Sequence, residues 1–293
     1  MTEFTGERFI LGMGSAEIHH EHRHRYEFAA ILAGGSDVLD LGCGSRYGSM
    51  LLAAAGANVE AIDIDPVSVE SAQTAYGSAA RFTSASAYDV PFDDANFDVV
   101  TCFEVIEHVD ERQRVIDEAA RVLRPNGVLI ISTPMKAEYN RGLVNPNPFH
   151  VHEMEHDEFA ALVARQFPFQ RVLRQRSFTV SALWEADLDD SALALVGSPA
   201  SESLARLAPV YEVIVASRNP LTATLRPSLF LDIDVQRGDE PDLVRQLRRA
   251  RLQLAEWEDL VETRTQAWLA AEAAFEDLQA RTNARPSPPQ EAP

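Results

Sequence analysis

The sequence predicts an α/β protein built on a doubly wound, mainly parallel sheet, with a long C-terminal helix following it. Three observations carry this. Strand-like and helix-like patterns alternate from about residue 36 to residue 217, the mark of a sheet covered by helices on both faces. Two of the strand segments, 97–102 and 128–132, show almost no polar alternation, as strands buried on both faces do. The first strand runs into Gly42-Cys43-Gly44, a turn whose glycines allow the tight or left-handed backbone needed between a strand and the helix behind it.

Residues 1–35 form an N-terminal segment with Thr5-Gly6-Glu7-Arg8-Phe9 and a histidine cluster, His19, His20, His22 and His24. His20 and His24 share a helical face, a spacing that metal ligands also use. The reading preferred is a polar helix that packs on the domain through Phe28, Ile31 and Leu32. Strand one covers 36–41, and the helix behind it runs from Tyr47 to Ala55 and stops at Gly56, a natural C-cap. Strand two spans 58–63, a helix 66–76, strand three 80–84 and strand four 97–102. A helix over 112–123 ends ahead of Pro125-Asn126-Gly127, and strand five is 128–132. A helix at 155–166 and strands at 169–178 and 210–217 complete a domain of residues 36–220.

Residues 221–238 read as a connector, and Gly238-Asp239-Glu240-Pro241 as a helix start with an acidic cap and an early proline. From Leu243 through Leu247, Ala250, Leu254, Trp257, Val261, Arg264, Trp268, Ala271 and Phe275 to Leu278, steps of four and three alternate without a break. That seam predicts a helix or coiled coil over 239–282, through which the chain would form a homo-oligomer. Residues 283–293, with Arg285-Pro286-Ser287-Pro288-Pro289, have the composition of a disordered tail.

The chain has 293 residues and a net charge of −19. Such a field repels a phosphate backbone, so no nucleic-acid partner is expected. No run is long enough for a membrane span, and the N-terminus lacks a signal peptide's apolar core, which makes the expected compartment cytoplasmic. Cys43 and Cys102, in the glycine turn and a buried strand, read as small packing residues.

The first strand ends in Asp40-Leu41-Gly42-Cys43-Gly44, and the second ends in Asp63, followed by Ile64. An acid at that position in a nucleotide-binding βαβ unit accepts hydrogen bonds from both ribose hydroxyls. The glycine spacing does not fit a nicotinamide fingerprint. With Pro91-Phe92-Asp93-Asp94 and Arg121-Val122-Leu123-Arg124-Pro125-Asn126-Gly127 in the same order, the chain resembles the class I S-adenosylmethionine (SAM)-dependent methyltransferases from about Thr5 to Ser217. The resemblance implies a Rossmann-like, seven-stranded sheet whose last two strands form an antiparallel hairpin, with SAM as cofactor. It implies Asp40, Gly42 and Gly44 in the cofactor turn, Asp63 on the ribose with Ile64 beside it, and Phe103 at the end of strand four. Ser86 stands where many relatives carry an adenine-binding Asp, and Ala87 would offer its backbone N–H to the ring. A T-G-E-R-F start and an H-R-Y before strand one are similar to polysaccharide-associated methyltransferases. There the segment lids the SAM pocket, which gives Arg25 or Tyr26 the methionine carboxylate.

Methyl transfer to a hydroxyl needs the acceptor oriented and its proton removed. Phe103-Glu104-Val105-Ile106-Glu107-His108 puts Glu104, Glu107 and His108 on one face of a helical turn. With His150 or His152 from the loop after strand five, they form a set suited to Mg²⁺ or Mn²⁺; Glu104, Glu107, His108 and His152 are the expected ligands. A similar pattern binds metal in small-RNA 2′-O-methyltransferases. Without a metal, His108 or His152 is the general base and Glu107 lines the pocket. The function expected is O-methylation of a sugar or polysaccharide hydroxyl, with a sugar or oligosaccharide as substrate. Alternatives are a small phenol, quinone or polyketide acceptor, a metal-dependent RNA reaction that the acidic charge disfavours, and an inactive scaffold displaying the coiled coil.

Overall fold

A computed structural model of the chain describes residues 16–44, 47–141, 147–177 and 208–222, together with 225, 228 and 230. These fall in a compact unit that extends to Asp232; the second unit, Ile233–Pro293, lies outside the described residues. The heptad seam, the T-G-E-R-F segment and the proline-rich end are therefore outside them too. Among the described residues no helix is long and apolar enough to cross a membrane.

Seven strands form one sheet: β1 (Asp37–Leu41), β2 (Asn58–Asp63), β3 (Arg81–Ser84), β4 (Phe97–Phe103), β5 (Leu123–Pro134), β6 (Phe169–Gln175) and β7 (Tyr211–Ser217). Their spatial order is β3-β2-β1-β4-β5-β7-β6. β1 through β5 run parallel, while β7 lies between β5 and β6 and is antiparallel to both. The reversal after β1 places a topological switch point between β1 and β4, where ligands sit on such sheets. Among the described residues six helices accompany the strands: α1 (Ala16–Ala33), α2 (Tyr47–Ala54), α3 (Pro66–Tyr76), α4 (Arg112–Val122), α5 (Lys136–Tyr139) and α6 (His156–Ala164). A 3-10 turn covers Ile106–His108.

The core sits on the central strands. Leu39, Leu41, Ile62, Val100, Cys102, Leu129 and Ile131 join Phe159 and Phe167 in a buried cluster. Neither Cys43 nor Cys102 is in a disulfide, and both are buried, as small packing residues are. Asp65 caps α3 through bonds from the Val67 and Ser68 N–H groups, with Pro66 in its first turn. β5 begins earlier than the apolar run indicates. Leu123 already pairs with Phe97, and the Pro125-Asn126-Gly127 kink is absorbed as a register shift. Arg121 explains two of the sequence motifs: its guanidinium donates to the carbonyls of Val90 (2.8 Å) and Phe92 (2.7 Å) and to Asp94 (2.9 Å), tying that loop to α4.

The packing of α1 differs from expectation. Phe28 and Leu32 are only half-buried and Ile31 is 66% exposed, whereas Tyr26, Ala29, Ala30 and Ala33 are buried. The reason is close approach. Small alanines let α1 lie against α2, and the Tyr26 ring occupies the space where a side chain on Gly48 would be, 2.1 Å from an added Cβ. Glu21 and Arg25 continue the same four-residue stripe inward and are buried as well.

Candidate active site

The carboxyl ends of β1, β2, β4 and β5 converge on one edge of the sheet. Gly42 and Gly44 both take positive φ, +78° and +49°. The Gly42 and Cys43 N–H groups donate to the Ile62 carbonyl, which ties the glycine turn to β2. A Cβ on Gly42 would meet Val105 Cγ2 at 2.3 Å, while the space over Gly44 is open. Asp63 closes the turn: its Oδ2 accepts from Gly44 N–H at 2.8 Å and its Oδ1 from Asp65 N–H at 2.9 Å. Ile64 stands 70% exposed beside it, an apolar side chain at the edge of the site.

Asp40 works differently from the expected ligand contact. It is fully buried and accepts from three hydroxyls: Ser49 at 2.6 Å, Thr101 at 2.9 Å and Tyr26 at 3.0 Å. Burial pushes its carboxyl above the usual range, and the three hydroxyls pull the other way. Asp40 therefore locks α1, α2 and β4 onto β1. Tyr26, with its hydroxyl committed to Asp40, is removed from the methionine-carboxylate role that sequence left open between it and Arg25. Phe103 is buried with its ring edge-on to Tyr26 at 4.9 Å, so it supports the site from beneath. Ser86 Oγ accepts from the Tyr88 N–H at 3.2 Å, and Ala87 packs half-buried against the core.

Arg25 is where sequence placed a cofactor contact, and its surroundings fit one. The guanidinium is buried, donates to Gln175 Oε1 at 2.7 Å, lies over the Tyr211 ring at 4.7 Å and comes within 3.9 Å of Glu104. Burial opposes its charge, but Glu104 and other neighbours outweigh this and hold the pKa above the ordinary value. Its Nε and one terminal nitrogen have no hydrogen-bond partner among the described residues. A buried cation with two idle donors matches a carboxylate, the terminal group of SAM. Arg25 and Asp63 thus fit the two ends of that cofactor.

Beyond β4, Glu104 takes a positive φ of 55°, unusual for a residue with a side chain and concentrated at functional sites. Its Oε1 accepts from Ser132 at 2.6 Å. Glu107 is buried, with Oε2 accepting from Thr133 at 3.3 Å and Oε1 unpartnered among the described residues. Burial, reinforced by Glu104, raises its pKa well above the ordinary carboxyl value. His108 Nδ1 lies 2.9 Å from the Phe149 carbonyl. A carbonyl only accepts, so Nδ1 carries the proton and Nε2 the lone pair, 4.0 Å from Glu107.

His150, not His152, completes the group. Ligand atoms of Glu107, His108 and His150 all lie within 4.8 Å of one another. His152 turns outward to Glu158 at 2.8 Å, because the N–H groups of Val151 and His152 both donate to the Glu107 carbonyl and turn the chain there. His152 therefore lies outside this group, and Glu104, bonded to Ser132 and near Arg25, stands apart from the three. Sequence gave no sign of Ser49, Thr101, Gln175, Tyr139 or Tyr211. Tyr139 lies 5.2 Å from the His150 ring and 6.0 Å from Tyr211, and the His108 and His150 rings meet edge-on at 4.9 Å, so aromatic rings wall this side.

A seven-stranded sheet of this order, with a glycine turn and a strand-end acid at its carboxyl edge, is the Rossmann-like arrangement of a methyltransferase fold. Comparison with known proteins agrees: residues 39–131 match the family model described as a methyltransferase domain. A protein of Mycobacterium tuberculosis named as a probable S-adenosylmethionine-dependent methyltransferase is 37% identical over 162 residues, covering 54% of this chain and 58% of that protein. A Mycolicibacterium smegmatis protein with the same description is 36% identical over 162 residues, covering 54% and 62%. A ubiquinone biosynthesis O-methyltransferase of Xanthomonas axonopodis pv. citri is 36% identical over 115 residues, covering 38% and 48%. The chain spans less than two thirds of the length of each of these relatives. The matched residues run from β1 into β5, the part of the sheet that carries the glycine turn and Asp63.

Proposed function

We propose that this chain methylates a hydroxyl oxygen of a small aromatic molecule, such as a phenol or a quinol. The observation that carries this is the placement of His108: Nδ1–H is held by the Phe149 carbonyl, the His150 ring meets the His108 ring edge-on at 4.9 Å, and the Tyr139 ring lies 5.2 Å from that of His150. Planar rings prefer edge-on and offset contacts with other rings, so such a wall suits a flat acceptor. A relative named for ubiquinone biosynthesis points the same way. The sugar acceptor expected from sequence has less behind it. The T-G-E-R-F segment from which it was read lies outside the described residues.

SAM, when bound, supplies a methyl group activated by the sulfonium beside it. Arg25 would hold its carboxylate and Asp63 its ribose hydroxyls, while Asp40 locks α1, α2 and β4 onto β1 beside them. His108 accepts the acceptor's hydroxyl proton on Nε2 and keeps its orientation through Nδ1–H. Glu107 Oε1, 4.0 Å from Nε2, lies close enough to favour the imidazolium that results.

The test is methyl transfer from labelled SAM to a panel of catechols, quinols and oligosaccharides. Label should appear on the phenolic hydroxyls. His108→Ala should lower kcat by roughly 10²–10⁴ while SAM affinity stays within about threefold. Label confined to sugars would overturn the aromatic acceptor, and near-normal turnover in His108→Ala would remove His108 as base.

A further inference from the structure

We infer that Glu107, His108 and His150 form a binding site for one divalent transition-metal ion of the Zn²⁺ type. Three features of the chain point to a ligand here. The carboxylate oxygen Glu107 Oε1 is buried and has no hydrogen-bond partner among the described residues, which is costly unless something cationic or protic meets it. His108 donates through Nδ1 to the Phe149 carbonyl, and so offers Nε2 as an electron pair. His150 Nδ1 is held by Glu153 Oε1 at 2.7 Å, so it too presents Nε2, now capped by the Asn147 side-chain N–H at 3.0 Å. Glu153 is itself held by Asn140. Imidazoles whose second nitrogen is fixed by a carbonyl or a carboxylate are the usual form of metal-binding histidine.

The donor set selects the ion. Two imidazoles and one carboxylate suit Zn²⁺ and neighbouring transition metals better than Mg²⁺, which prefers an all-oxygen shell. The ligand atoms lie within 4.8 Å of one another, and a tetrahedral ion would draw them to about 3.3 Å, a movement of side-chain torsions with Asn147 turning aside. The proposed set differs from the Mg²⁺ or Mn²⁺ site expected over Glu104, Glu107, His108 and His152 in both ligands and ion. An ion on His108 Nε2 takes over that lone pair, and an acceptor hydroxyl then meets the ion, which lowers the hydroxyl's pKa. Metal binding stands independently of which acceptor is methylated.

The test is titration of Co²⁺, a coloured substitute for Zn²⁺, into the EDTA-stripped full chain, followed by visible absorption. One saturable equivalent with a visible band is expected. Glu107→Gln, which keeps the side chain's shape, and His150→Ala should each weaken it roughly a hundredfold or more. Glu153→Gln should weaken it about tenfold by loosening His150. His152→Ala and a His20→Ala/His24→Ala double variant should keep the band, which separates this site from the histidines of α1. Absence of the band in the wild type, its survival in both Glu107→Gln and His150→Ala, or its loss in the α1 double variant would overturn the inference. Turnover is read separately with and without EDTA, so a wrong acceptor would leave the band in place.

Discussion

Tyr26→Phe separates a residue that supports the site from one that touches the cofactor. The substitution leaves the ring, and so leaves the packing over Gly48 and the edge contacts with Phe103 at 4.9 Å and Tyr47 at 5.6 Å. It removes one hydroxyl that donates to both Asp40 oxygens, at 3.0 and 3.3 Å. A hydrogen bond to a buried charged group contributes about 1.5–3 kcal/mol. Ser49 at 2.6 Å and Thr101 at 2.9 Å remain, which argues for the lower half of that range, about 2 kcal/mol. For a domain of this size each kcal/mol shifts Tm by about 2–4 °C, so a fall of about 4–8 °C is expected. Thermal melting of the variant gives that value, and calorimetric titration with SAM gives the affinity, which should change by less than about threefold. An unchanged Tm with a tenfold loss of SAM affinity would refute the reasoning, because the hydroxyl would then be serving the ligand.

Arg25→Gln should weaken SAM binding by about 2 kcal/mol, a factor of roughly thirty, since it removes the buried donors that fit a carboxylate; unchanged affinity by titration would take Arg25 off the cofactor. Gly42→Ala should destabilise by about 3 kcal/mol in urea unfolding, because it combines positive φ with a clash on Val105, whereas Gly44→Ala, with positive φ alone, should cost about 1 kcal/mol; equal losses would contradict the geometry. His24 gives a pH signature. Its ring bonds Ser228 at 2.7 Å, stacks on Phe230, and burial followed by Arg25 lowers its pKa from 6.5 to about 4. The unfolded chain binds that proton first, so the stability His24 contributes is present above about pH 6.5 and is lost as pH falls towards 4. Full linkage would give about 3 kcal/mol, and a half-buried ring retains about 1–2. His24→Gln should therefore lose less stability than wild type between pH 7.5 and 4.5, and parallel curves would rule His24 out.

The sheet was legible because its signals are local. The apolar runs of β4 and β5, the glycines between β1 and α2, and the proline after Asp65 each dictate their own few residues. The site was legible only as far as it is local. Asp40 and Asp63 look alike in sequence, both acids at strand ends, yet one accepts two backbone N–H groups and the other three hydroxyls. What separates them is Thr101, brought level with Asp40 by the β1–β4 register, and Tyr26 from α1, neither predictable from the spacing of β1. The choice between His150 and His152 turned on a similar point. They alternate in one loop, and the Glu107 carbonyl, 43 positions before His150, decides which side chain faces inward by capturing the next two N–H groups. The buried face of α1 was misread because helical periodicity favours large apolar side chains, whereas tight packing against α2 favours alanine.

The charges at this sheet edge make a joint argument that none makes alone. Arg25, Asp40 and Glu107 are all buried, and a fold that needed only stability would replace such groups by apolar ones of similar volume. Asp40 is fully satisfied within the protein, so it is explained by architecture. Among the described residues Arg25 and Glu107 are not: one has two donors and the other one acceptor without a hydrogen-bond partner, each costing about 1–3 kcal/mol. The two idle sets have opposite needs, an anion for Arg25 and a cation or proton donor for Glu107. Between them stands Glu104, held in a strained backbone, with Ser132 on the Oε1 that faces Arg25. A single small ligand cannot answer both needs, whereas a carboxylate-bearing cofactor on one side and an ion or a hydroxyl-bearing acceptor on the other can. With SAM held by Arg25 and Asp63 as proposed, Glu104 would stand between a cofactor half and an acceptor half of this edge, and the methyl group would cross from one to the other.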